Sequence, residues 1–490
     1  MKHAILIMAH KEFGHLYHLV EYFLKDCYVF IHVDKKSGFT EMELERLRAL
    51  EQVKAVYRKF SVHWGGFSIL RCEMFMLRDA MSQCDAEYFH LISGQDYPVC
   101  SLGQFLDFFE KNNGANFIQY VHLPHPRWER NTFTRFRYFY VYDWIRNGKK
   151  SYGLVRKLID FQRKLSIKRR IPDFFNHLYG NSQWFSINRK AVTDLMEYTD
   201  KHPALYRRMW MTFAPEESYI ATVLVNLTNG KGIVPNNCRF IRWKYENGSS
   251  PANLCASHFR MLIERQYLFA RKFESPYKEE LVKAIDKYLI YGRQELQIMQ
   301  NGGWKYNGFR KYMYEEQFVN AVMHIHKYVA IESVLDMGCG SGAYVAALRE
   351  CGTAAAGYDA NPYTEELSKY LLKADDEPCG QADLTDDLEI ESGFELVICK
   401  DVLPYIPEDM ELKAIENLSQ LSSKYVLTSW YTTDENTEGC VRCRQEEEVI
   451  ELFSHYGFHL NAVLTAQVRE IMMKGHSNLY YLFEKEDLTE

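Results

Sequence analysis

The chain has 490 residues, of which 47% are hydrophobic and 25% are charged, so it is long enough for two or three domains with complete cores. It contains no run of 18 apolar residues, which predicts that no segment spans a membrane. Its first residues have the pattern of a buried strand, without a polar leader or a small-residue cleavage site, which argues against a secretory signal. The 12 cysteines are scattered, and we interpret them as reduced thiols of a cytosolic protein.

The formal net charge of −6 hides a division of the chain into two parts. Residues 331–490 contain 11 lysines and arginines against 32 aspartates and glutamates, whereas residues 1–330 contain 48 against 33. The first part is therefore basic and the second acidic. We expect the two parts to be separate domains with different binding partners.

Strand and helix patterns alternate at the start of the chain. The hydrophobic pattern predicts strands at residues 4–8, 28–33, 53–57 and 88–92, and helices at residues 16–24, 41–50 and 69–81. This alternation predicts an α/β domain with a mostly parallel sheet, whose ligand lies at the carboxyl ends of the strands. No glycine-rich phosphate loop follows the first strand, so a Rossmann-type cofactor is not expected there.

Six short segments occur in the order and spacing of one family: residues 31–37, 64–66, 90–98, 181–185, 215–218 and 269–273. On these segments, residues 1–292 resemble the core-2/I-branching β-1,6-N-acetylglucosaminyltransferase and peptide O-xylosyltransferase family. The resemblance implies a GT-A-like fold, an inverting mechanism, a UDP-sugar donor and no requirement for a metal. The sequence Ala-Arg-Lys-Phe and residues 281–292 resemble the xylosyltransferases more than the core-2 enzymes. The identity of the donor sugar remains open among xylose, N-acetylglucosamine and other sugars.

The resemblance also assigns roles to individual residues. It implies that Asp34 and Trp64 hold the uridine and that Glu217 is the catalytic base. It implies in addition that Arg271 and Lys272 hold the diphosphate. The chemistry agrees, because an inverting transfer needs a carboxylate to accept the proton of the attacking hydroxyl and positive charge on the departing diphosphate. An arginine beside a lysine can supply that charge where no suitable Asp-x-Asp pair offers a metal site.

Two further residues are candidates for donor binding. Gln183 and Trp184 lie at the end of a predicted strand, where a donor or acceptor sugar could stack on the indole ring. Burial of Trp184 in the core is the alternative. The animal members of the family are lumenal, disulfide-bonded and membrane-anchored, whereas this sequence shows neither an anchor nor an obvious pairing of its cysteines.

Residues 121–170 form a basic, aromatic segment within the first part. They contain 14 lysines and arginines against three acidic residues, and aromatic residues are interleaved among them. Three readings remain open: a solvated amphipathic helical insertion, a surface that contacts an anionic membrane, and a grip on a phosphate-bearing acceptor.

A domain boundary is predicted where glycine and asparagine interrupt a helical pattern, at residues 300–304. We assign residues 1–295 to the first domain, residues 296–330 to a helical lead-in, and residues 331–490 to a second domain. Residues 309–330 are predicted to be helical. Such a lead-in often covers the ligand cleft of the domain that follows.

Residues 334–342, Val-Leu-Asp-Met-Gly-Cys-Gly-Ser-Gly, are the most informative stretch. They place Gly338, Gly340 and Gly342 between a predicted strand and a helix, where the backbone can turn tightly and approach a ligand. A second strand at residues 354–358 ends at Asp359, 17 residues after Gly342, where a carboxylate can accept both hydroxyls of a ribose. Asp383 follows a short third strand, and a fourth strand covers residues 394–399.

On these features, residues 331–490 resemble the class I S-adenosylmethionine-dependent methyltransferases, which have a Rossmann-like fold. The resemblance implies that Asp336 and the glycine loop surround the methionine portion of S-adenosylmethionine, that Asp359 binds the ribose, and that Asp383 lies near the adenine. Lys400, directly after the fourth strand, completes the candidate cofactor site.

The base for the methyl acceptor remains open. Asp401, His455 and His476 are candidates for this role. Cys440 and Cys443 are the one close cysteine pair, and they lack a second pair and a histidine at metal spacing, so no metal site is expected.

Together the two parts predict a bifunctional, bacterial, cytoplasmic enzyme that adds a sugar to a glycan or a lipid-linked glycan and methylates a glycan hydroxyl. Peripheral contact with the anionic inner face of a membrane is included in that prediction, and the oligomeric state is open. A nucleic-acid methyltransferase is the rival, but the segment after the fourth strand lacks the Asn/Asp-Pro-Pro-aromatic tetrad of base amine methylation, so no nucleic-acid partner is expected. A third reading makes one of the two parts a silent scaffold that recruits substrate.

Overall fold

The chain forms two compact units. The computed structural model describes residues 1–125, 134–144, 149–170, 177–263, 267–292, 295–309, 311–312, 314–373, 375–431, 440–472 and 478–486. Residues 1–254 and 266–279 make the first unit, and residues 255–265 and 280–490 make the second. The second unit thus includes residues 255–265 and 280–295, which the sequence analysis placed in the first domain. The reason is an aromatic cluster, in which the Phe259 ring lies 6.2 Å from that of Tyr288 and 5.3 Å from that of Phe309.

The first unit has ten strands and nine α-helices among its described residues. The strands are β1 (His3–Ala9), β2 (Cys27–Val33), β3 (Val53–Tyr57), β4 (Tyr88–Ser93), β5 (Asp96–Pro98), β6 (Asn116–His122), β7 (Tyr179–Asn188), β8 (Ile233–Val234), β9 (Arg239–Ile241) and β10 (Phe269–Arg271). The helices are α1 (Phe13–Glu21), α2 (Glu41–Arg48), α3 (Phe67–Gln83), α4 (Leu102–Lys111), α5 (Thr134–Arg137), α6 (Lys149–Lys164), α7 (Arg189–Lys201), α8 (Pro203–Arg208) and α9 (Tyr219–Thr228).

Seven of these strands form one sheet in the order β3-β2-β1-β4-β7-β6-β8. Strands β3, β2, β1 and β4 are parallel, and β7 runs antiparallel to both of its neighbours. The register aligns Ile5 of β1 with Val29 and with His90, and the central strands are buried on both faces. The carboxyl ends of β1, β2 and β4 therefore meet at one edge. A small second sheet, β5-β10-β9, pairs Arg271 with Asp96.

The second unit contains the remaining elements. Its helices are α10 (Phe259–Ile263), α11 (Glu279–Ile285), α12 (Glu316–Val329), α13 (Ala343–Glu350), α14 (Thr364–Ser368), α15 (Glu408–Leu421), α16 (Glu446–Ser454) and α17 (Ala462–Met472). Its strands are β11 (Gln297–Ile298), β12 (Trp304–Lys305), β13 (Ser333–Met337), β14 (Ala354–Asp359), β15 (Gly380–Gln381), β16 (Phe394–Cys399), β17 (Ser422–Tyr431), β18 (Phe458–Leu460) and β19 (Asn478–Lys485).

The main sheet of the second unit has the order β15-β14-β13-β16-β17-β19-β18. The first five strands are parallel, and β19 runs antiparallel to β17 and β18. The predicted α/β architecture is confirmed in both units, and the strand order reverses at β13, where a doubly wound sheet binds its ligand. Within the described residues, no helix combines the length and the apolar character needed to cross a membrane.

The lead-in differs from its prediction. A helix was expected over residues 309–330, but α12 begins only at Glu316. The preceding aromatic residues explain the difference, because Phe309 is buried against Tyr288 and Tyr312 packs on the glycine loop at Gly340. Side chains three residues apart share one face of a helix, so a helix would not bury these two rings against separate partners.

Candidate active sites

Asp34 lies at the carboxyl edge of the first sheet, directly after β2. Its N–H donates to the Ala9 carbonyl at 2.8 Å, which holds the ends of β1 and β2 side by side. Its Oδ1 accepts hydrogen bonds from the N–H groups of Lys36 at 2.9 Å and Val62 at 3.3 Å. The residue predicted to hold the uridine is therefore a fixed acceptor at the ligand edge.

The Trp64-Gly-Gly turn begins helix α3 with help from a distant residue. The Asp143 carboxylate accepts the N–H groups of Phe67 at 3.0 Å and Ser68 at 3.1 Å, which are otherwise unpaired at the start of a helix. A Cβ at Gly66 would collide with that carboxylate. The Trp64 side chain is 54% exposed, so its indole is open to a ligand as the prediction requires.

Glu217 ends a 3₁₀ turn that starts at Pro215. Arg135 of α5 donates from Nη1 to Glu217 Oε2 at 3.2 Å, and the arginine side chain is 5% exposed against 35% for the glutamate. A partly exposed carboxylate with a buried cationic partner is suited to receive a proton from a bound hydroxyl. The basic segment thus supplies a residue to the predicted catalytic base.

Two further carboxyl groups lie close to Glu217 and are buried. Glu73 of α3 is fully buried, and its Oε1 accepts a hydrogen bond from Gln183 Nε2 at 2.9 Å. Burial raises the pKa of Glu73 and of Glu216 well above the usual value, and the charge of Glu217 raises both further. Burial therefore favours the protonated form of both carboxyl groups. The amide of Gln183, predicted to contact the donor, is engaged with Glu73.

Arg271, at the end of β10, contacts Trp184 of β7. Its guanidinium lies 4.2 Å from the centre of the Trp184 ring, and Nη1 lies 3.5 Å from Asp96 Oδ1. Trp184 belongs to the buried core, so one tryptophan both fills the core and supports the cation. Among the described residues, Nε and Nη1 of Arg271 have no hydrogen-bond acceptor. A largely buried cation with unused donors is suited to contact an anion.

Lys272 belongs to a cluster that the sequence analysis did not find. Its Nζ lies 2.5 Å from Glu274 Oε1, and Nζ of Lys11 lies 2.7 Å from the same oxygen. Although burial raises the pKa of Glu274, hydrogen bonds from Lys11 and Lys272 outweigh it and lower the pKa to about 2. The carboxylate is therefore ionised at any physiological pH. Neither Lys11 nor Glu274 has a sequence signal beyond its charge.

The second unit contains a cavity of about 340 Å³ at the carboxyl ends of β13, β14 and β16. Every residue predicted to bind the cofactor lines it, except Gly342. The lining also includes residues that the sequence analysis missed: Asn301, Trp304, Tyr312, Tyr405 and Tyr431. The pattern Asn-Gly-Gly-Trp was interpreted as a domain boundary, and in the structure it is part of the cavity wall.

The glycine loop leaves room that side chains would fill. Gly338, Gly340 and Gly342 all have positive φ, at 90°, 56° and 77°. A Cβ at Gly342 would lie 2.7 Å from Cys379 Sγ, and one at Gly340 would lie 2.5 Å from the Tyr312 ring. Glycine alone adopts a positive φ without strain and has no Cβ to collide with these neighbours. The loop backbone can therefore approach a ligand closely.

Asp336 is the buried acid of this cavity. Its Oδ2 has no hydrogen-bond partner among the described residues. Burial, and then the charge of Asp359, raise the pKa of Asp336 to about 7, while Lys400 opposes the shift. An unpartnered carboxyl beside the glycine loop fits the positively charged amino group of S-adenosylmethionine.

Asp359 and Asp383 are held by backbone and side-chain donors. Asp359 accepts the N–H of Gly340 and the N–H of Asn361, each at 2.7 Å. Asn361, which the sequence analysis missed, donates to the Tyr306 carbonyl at 2.7 Å. This hydrogen bond joins the lead-in to the loop that follows β14. Asp383 accepts hydrogen bonds from Asn301 and from Thr385.

Lys400 and Asp401 form a buried ion pair in the cavity wall. The Lys400 side chain is 7% exposed and lies 3.9 Å from Glu315 Oε2. Burial lowers the pKa of Lys400, but Asp401 and other negative partners outweigh it and raise the pKa above its usual value. Asp401 has φ 55°, and its Oδ1 accepts the Ser429 hydroxyl at 2.9 Å. Strained backbone of this kind is concentrated at functional sites.

The three candidate bases differ in their surroundings. Asp401 lines the cavity, whereas His455 is exposed at the end of α16 and lies outside the lining. His476 lies outside the described residues. The described residues contain no group of three or more His, Cys, Asp or Glu side chains that could hold a metal ion. Independence from metal remains a prediction.

Comparison with protein families gives one match in each part of the chain. Residues 4–262 match the core-2/I-branching enzyme family, and residues 306–462 match a methyltransferase domain family. Both predicted resemblances are confirmed. The methyltransferase match begins inside the lead-in, upstream of the predicted boundary at residue 331.

The curated relatives match about half of this chain. The chain is 27% identical to xylosyltransferase 1 of mouse over 286 residues, and 28% identical to that of rat over 287 residues. It is 26% identical to xylosyltransferase 2 of dog over 299 residues. These matches cover 54–55% of this chain and 28–32% of the relatives, so the chain spans less than a third of their length.

These relatives are animal proteins. The prediction of a bacterial, cytoplasmic protein conflicts with these relatives and is therefore wrong.

Among solved structures, the chain is similar to magnesium protoporphyrin IX methyltransferase of Synechocystis PCC 6803, with 16% identity and a TM-score of 0.27. That match covers 35% of this chain and 83% of the other. A TehB-like S-adenosylmethionine-dependent methyltransferase of Corynebacterium glutamicum gives 18% identity and a TM-score of 0.28, over 36% of this chain and 91% of the other.

Proposed function

Because the chain belongs to the core-2/I-branching enzyme family, we propose that its first unit transfers a sugar from a UDP-sugar to a glycan acceptor with inversion. We propose that its second unit methylates a sugar hydroxyl with S-adenosylmethionine. The observation that carries the first part is the arrangement around β7. The 3₁₀ turn that ends at Glu217 contacts this strand, and the Arg271 guanidinium lies over the ring of Trp184, which belongs to the same strand. Lys272 follows Arg271 directly.

The reaction of the first unit needs one base and a stabilised leaving group. Glu217 accepts the proton of the attacking acceptor hydroxyl, whose oxygen bonds to the anomeric carbon while the bond from that carbon to the UDP oxygen breaks. Arg271 and Lys272 stabilise the negative charge that develops on the departing diphosphate. Two fixed cations do the work that a divalent metal does in many related folds, so the transfer proceeds without metal.

The donor sugar is xylose or N-acetylglucosamine. The relatives that carry the name xylosyltransferase support xylose. The sequence resemblance to core-2/I-branching β-1,6-N-acetylglucosaminyltransferases supports N-acetylglucosamine. The acceptor is a glycan or a lipid-linked glycan. The exposed Trp64 indole and the fixed Asp34 carboxylate suit a uridine, which needs a stacking surface and a hydrogen-bond acceptor.

The second unit has side chains that fit S-adenosylmethionine. Asp336 suits its amino group, Asp359 its ribose hydroxyls, and Asp383 with Asn301 its adenine. When bound, the cofactor supplies an electrophilic methyl group. Asp401 lines the cavity, and its carboxylate contacts the Lys400 ammonium and the Ser429 hydroxyl, so it is positioned to accept the proton of an acceptor hydroxyl. The aromatic rings of Trp304, Tyr405 and Tyr431 exclude water from the acceptor.

Tethering the two activities is useful if one unit's product is the other unit's substrate. A short covalent connection raises the effective concentration of the second site into the millimolar range. We therefore propose that both units act on the same glycan.

The decisive experiment on the first unit replaces Glu217 by glutamine. Glu217→Gln keeps the shape of the side chain but cannot accept a proton, so hydrolysis of UDP-xylose or UDP-N-acetylglucosamine should slow by about 10²-fold or more. Affinity for UDP, measured by calorimetry, should barely change. Slow donor hydrolysis needs no acceptor, so the assay can be run before the acceptor is identified.

Glu216→Gln is the matched control, since it alters the adjacent carboxyl group, whose pKa burial raises well above its usual value. It should slow hydrolysis far less than Glu217→Gln. Equal losses of rate and of UDP affinity in Glu217→Gln would assign Glu217 to binding. A strict need for manganese would contradict the proposed metal independence.

A further inference from the structure

Two lysines from distant parts of the first unit meet on one carboxylate oxygen. Lys11 follows β1, and its Nζ lies 2.7 Å from Glu274 Oε1. Lys272 follows β10, and its Nζ lies 2.5 Å from the same oxygen. The two ammonium groups are therefore no more than 5.2 Å apart. Like charges at this separation repel, so they need an anion between them.

The chain holds Lys11 in this place. Glu12, its neighbour, accepts the N–H of Ser275 at 3.1 Å and pairs with the ammonium of Lys278. Glu12 has φ 57°, a conformation that a residue other than glycine adopts only at an energetic cost. Contacts on both sides of the loop therefore fix Lys11 beside the segment that carries Lys272.

The cluster belongs to the same edge as the proposed donor site. The hydrogen bond from Asp34 to Ala9 places the end of β1, two residues before Lys11, beside the proposed uridine residue. Arg271 precedes Lys272 directly and has unused donors. Gln95, from the loop after β4, donates to the same oxygen of Glu274. Residues that follow β1, β4 and β10 thus converge on one anion.

We propose that Lys11 is a third cationic ligand of the donor's diphosphate, and that Glu274 and the diphosphate are alternative anionic partners of Lys11 and Lys272. This inference rests on the proposed UDP-sugar donor. A diphosphate presents several charged oxygens, so it can accept hydrogen bonds from both ammonium groups and from Arg271 together. A single carboxylate oxygen offers fewer acceptor sites than these donors can use. Lys11 then also stabilises the leaving UDP as charge develops on it.

Calorimetry with UDP and with uridine tests the inference. Lys11→Met keeps most of the length of the side chain and removes its charge, so affinity for UDP should fall about tenfold or more. Affinity for uridine should not change, because uridine has no phosphate. Lys25→Met is the matched control, since Lys25 is an exposed lysine after α1, near the opposite edge of the sheet. That variant should bind UDP and uridine as the unaltered protein does.

Glu274→Gln tests the exchange of anions. It keeps the shape of the side chain and removes the competing charge, so UDP should bind more tightly than to the unaltered protein. Thermal unfolding and uridine binding report whether the variant is folded. Weaker UDP binding by folded Glu274→Gln protein would overturn the exchange.

The outcomes separate this inference from the proposed function. If the unaltered protein binds no UDP, the proposed donor is overturned and the inference with it. If Lys272→Met weakens UDP binding and folded Lys11→Met does not, the donor stands and the role of Lys11 is overturned. Equal losses of UDP and uridine affinity in Lys11→Met would show that Lys11 only supports the fold of the edge.

Discussion

Asp336 illustrates how the fold changes the chemistry of a residue whose position the sequence indicates. The sequence places this carboxyl at the end of the first strand of a nucleotide-type sheet. Burial raises its pKa to about 7, and its Oδ2 has no partner among the described residues. At neutral pH the group is therefore poised between its two protonation states.

This pKa predicts a pH-dependent affinity for S-adenosylmethionine. The cofactor's amino group favours ionised Asp336, so affinity should fall by up to about tenfold per unit as the pH drops below 7. Calorimetry in buffers of different ionisation enthalpy should detect release of a proton on binding at pH 6. Asp336→Asn should bind more weakly at pH 8 and lose the pH dependence. If the affinity of Asp336→Asn for the cofactor depended on pH as that of the unaltered protein does, another group would be responsible for the pH dependence.

The same shift predicts a change in stability without cofactor. Because the folded pKa lies above the usual value of 3.8, the contribution of Asp336 to stability is present below that value and lost as the pH rises through about 7. Asp336→Asn should therefore gain more in melting temperature, relative to the unaltered protein, at pH 8 than at pH 4. A gain that is equal at both pH values would contradict the shift.

Sequence reasoning found the site residues that lie in short contiguous patterns. Asp359 and Glu217 are examples, because a strand end or a family segment marks each of them. Lys11, Arg135 and Glu73 could not be found in this way. Their roles depend on contacts with residues far away in the chain, and a lone charged residue carries no signal for such a partner.

The conformation of the lead-in also depends on contacts with residues that are distant in the chain. Its composition predicted helices over residues 309–330, and α12 forms only from Glu316. The earlier residues instead bury their rings separately and contribute Asn301, Trp304 and Tyr312 to the cofactor cavity. Tertiary contacts outweigh helix propensity, which is at most a few tenths of a kcal/mol for most residues.

The lead-in should therefore matter for cofactor affinity. Asn301→Ala removes the hydrogen bond to the Asp383 carboxylate, and S-adenosylmethionine should bind about tenfold more weakly by calorimetry. Ile298→Ala is the matched control, since that side chain is 49% exposed and does not line the cavity. Unchanged affinity in Asn301→Ala would show that the lead-in only flanks the cofactor.

The basic segment at residues 121–170 has a structural role that its composition does not reveal. Arg135 supports the predicted catalytic base, and Asp143 caps α3. Part of the segment, including residues 126–133, lies outside the described residues. Contact with an anionic membrane remains a prediction, and it can be tested by co-sedimentation with anionic and neutral vesicles.

At the scale of the whole molecule, the α/β architecture of both parts could be inferred in advance because each part repeats local strand-helix patterns. The exact boundary between the two units could not be inferred, because residues 255–265 join the second unit through contacts with aromatic residues that are distant in sequence. Each unit has its own sheet and its own candidate site, built from its own residues. The two activities should therefore be separable by single substitutions.

Gly340→Asp is the substitution that tests this separation. The new side chain would collide with the Tyr312 ring at a position with φ 56°, and its charge would lie near Asp359, whose carboxylate accepts the N–H of the same residue. Binding of S-adenosylmethionine should be abolished in calorimetry, while UDP binding and donor hydrolysis remain intact. Cys351→Asp, which adds the same charge at an exposed position of the same unit, is the control and should bind both ligands.

Glu217→Gln is the reciprocal variant. It should lose donor hydrolysis and keep its full affinity for S-adenosylmethionine, because none of the described residues that line the cofactor cavity comes from the first unit. Circular dichroism and thermal unfolding establish that each variant is folded. If folded Gly340→Asp protein also lost donor hydrolysis, or folded Glu217→Gln protein also lost cofactor binding, the two sites would be coupled and the description of the chain as two independent enzymes would be wrong.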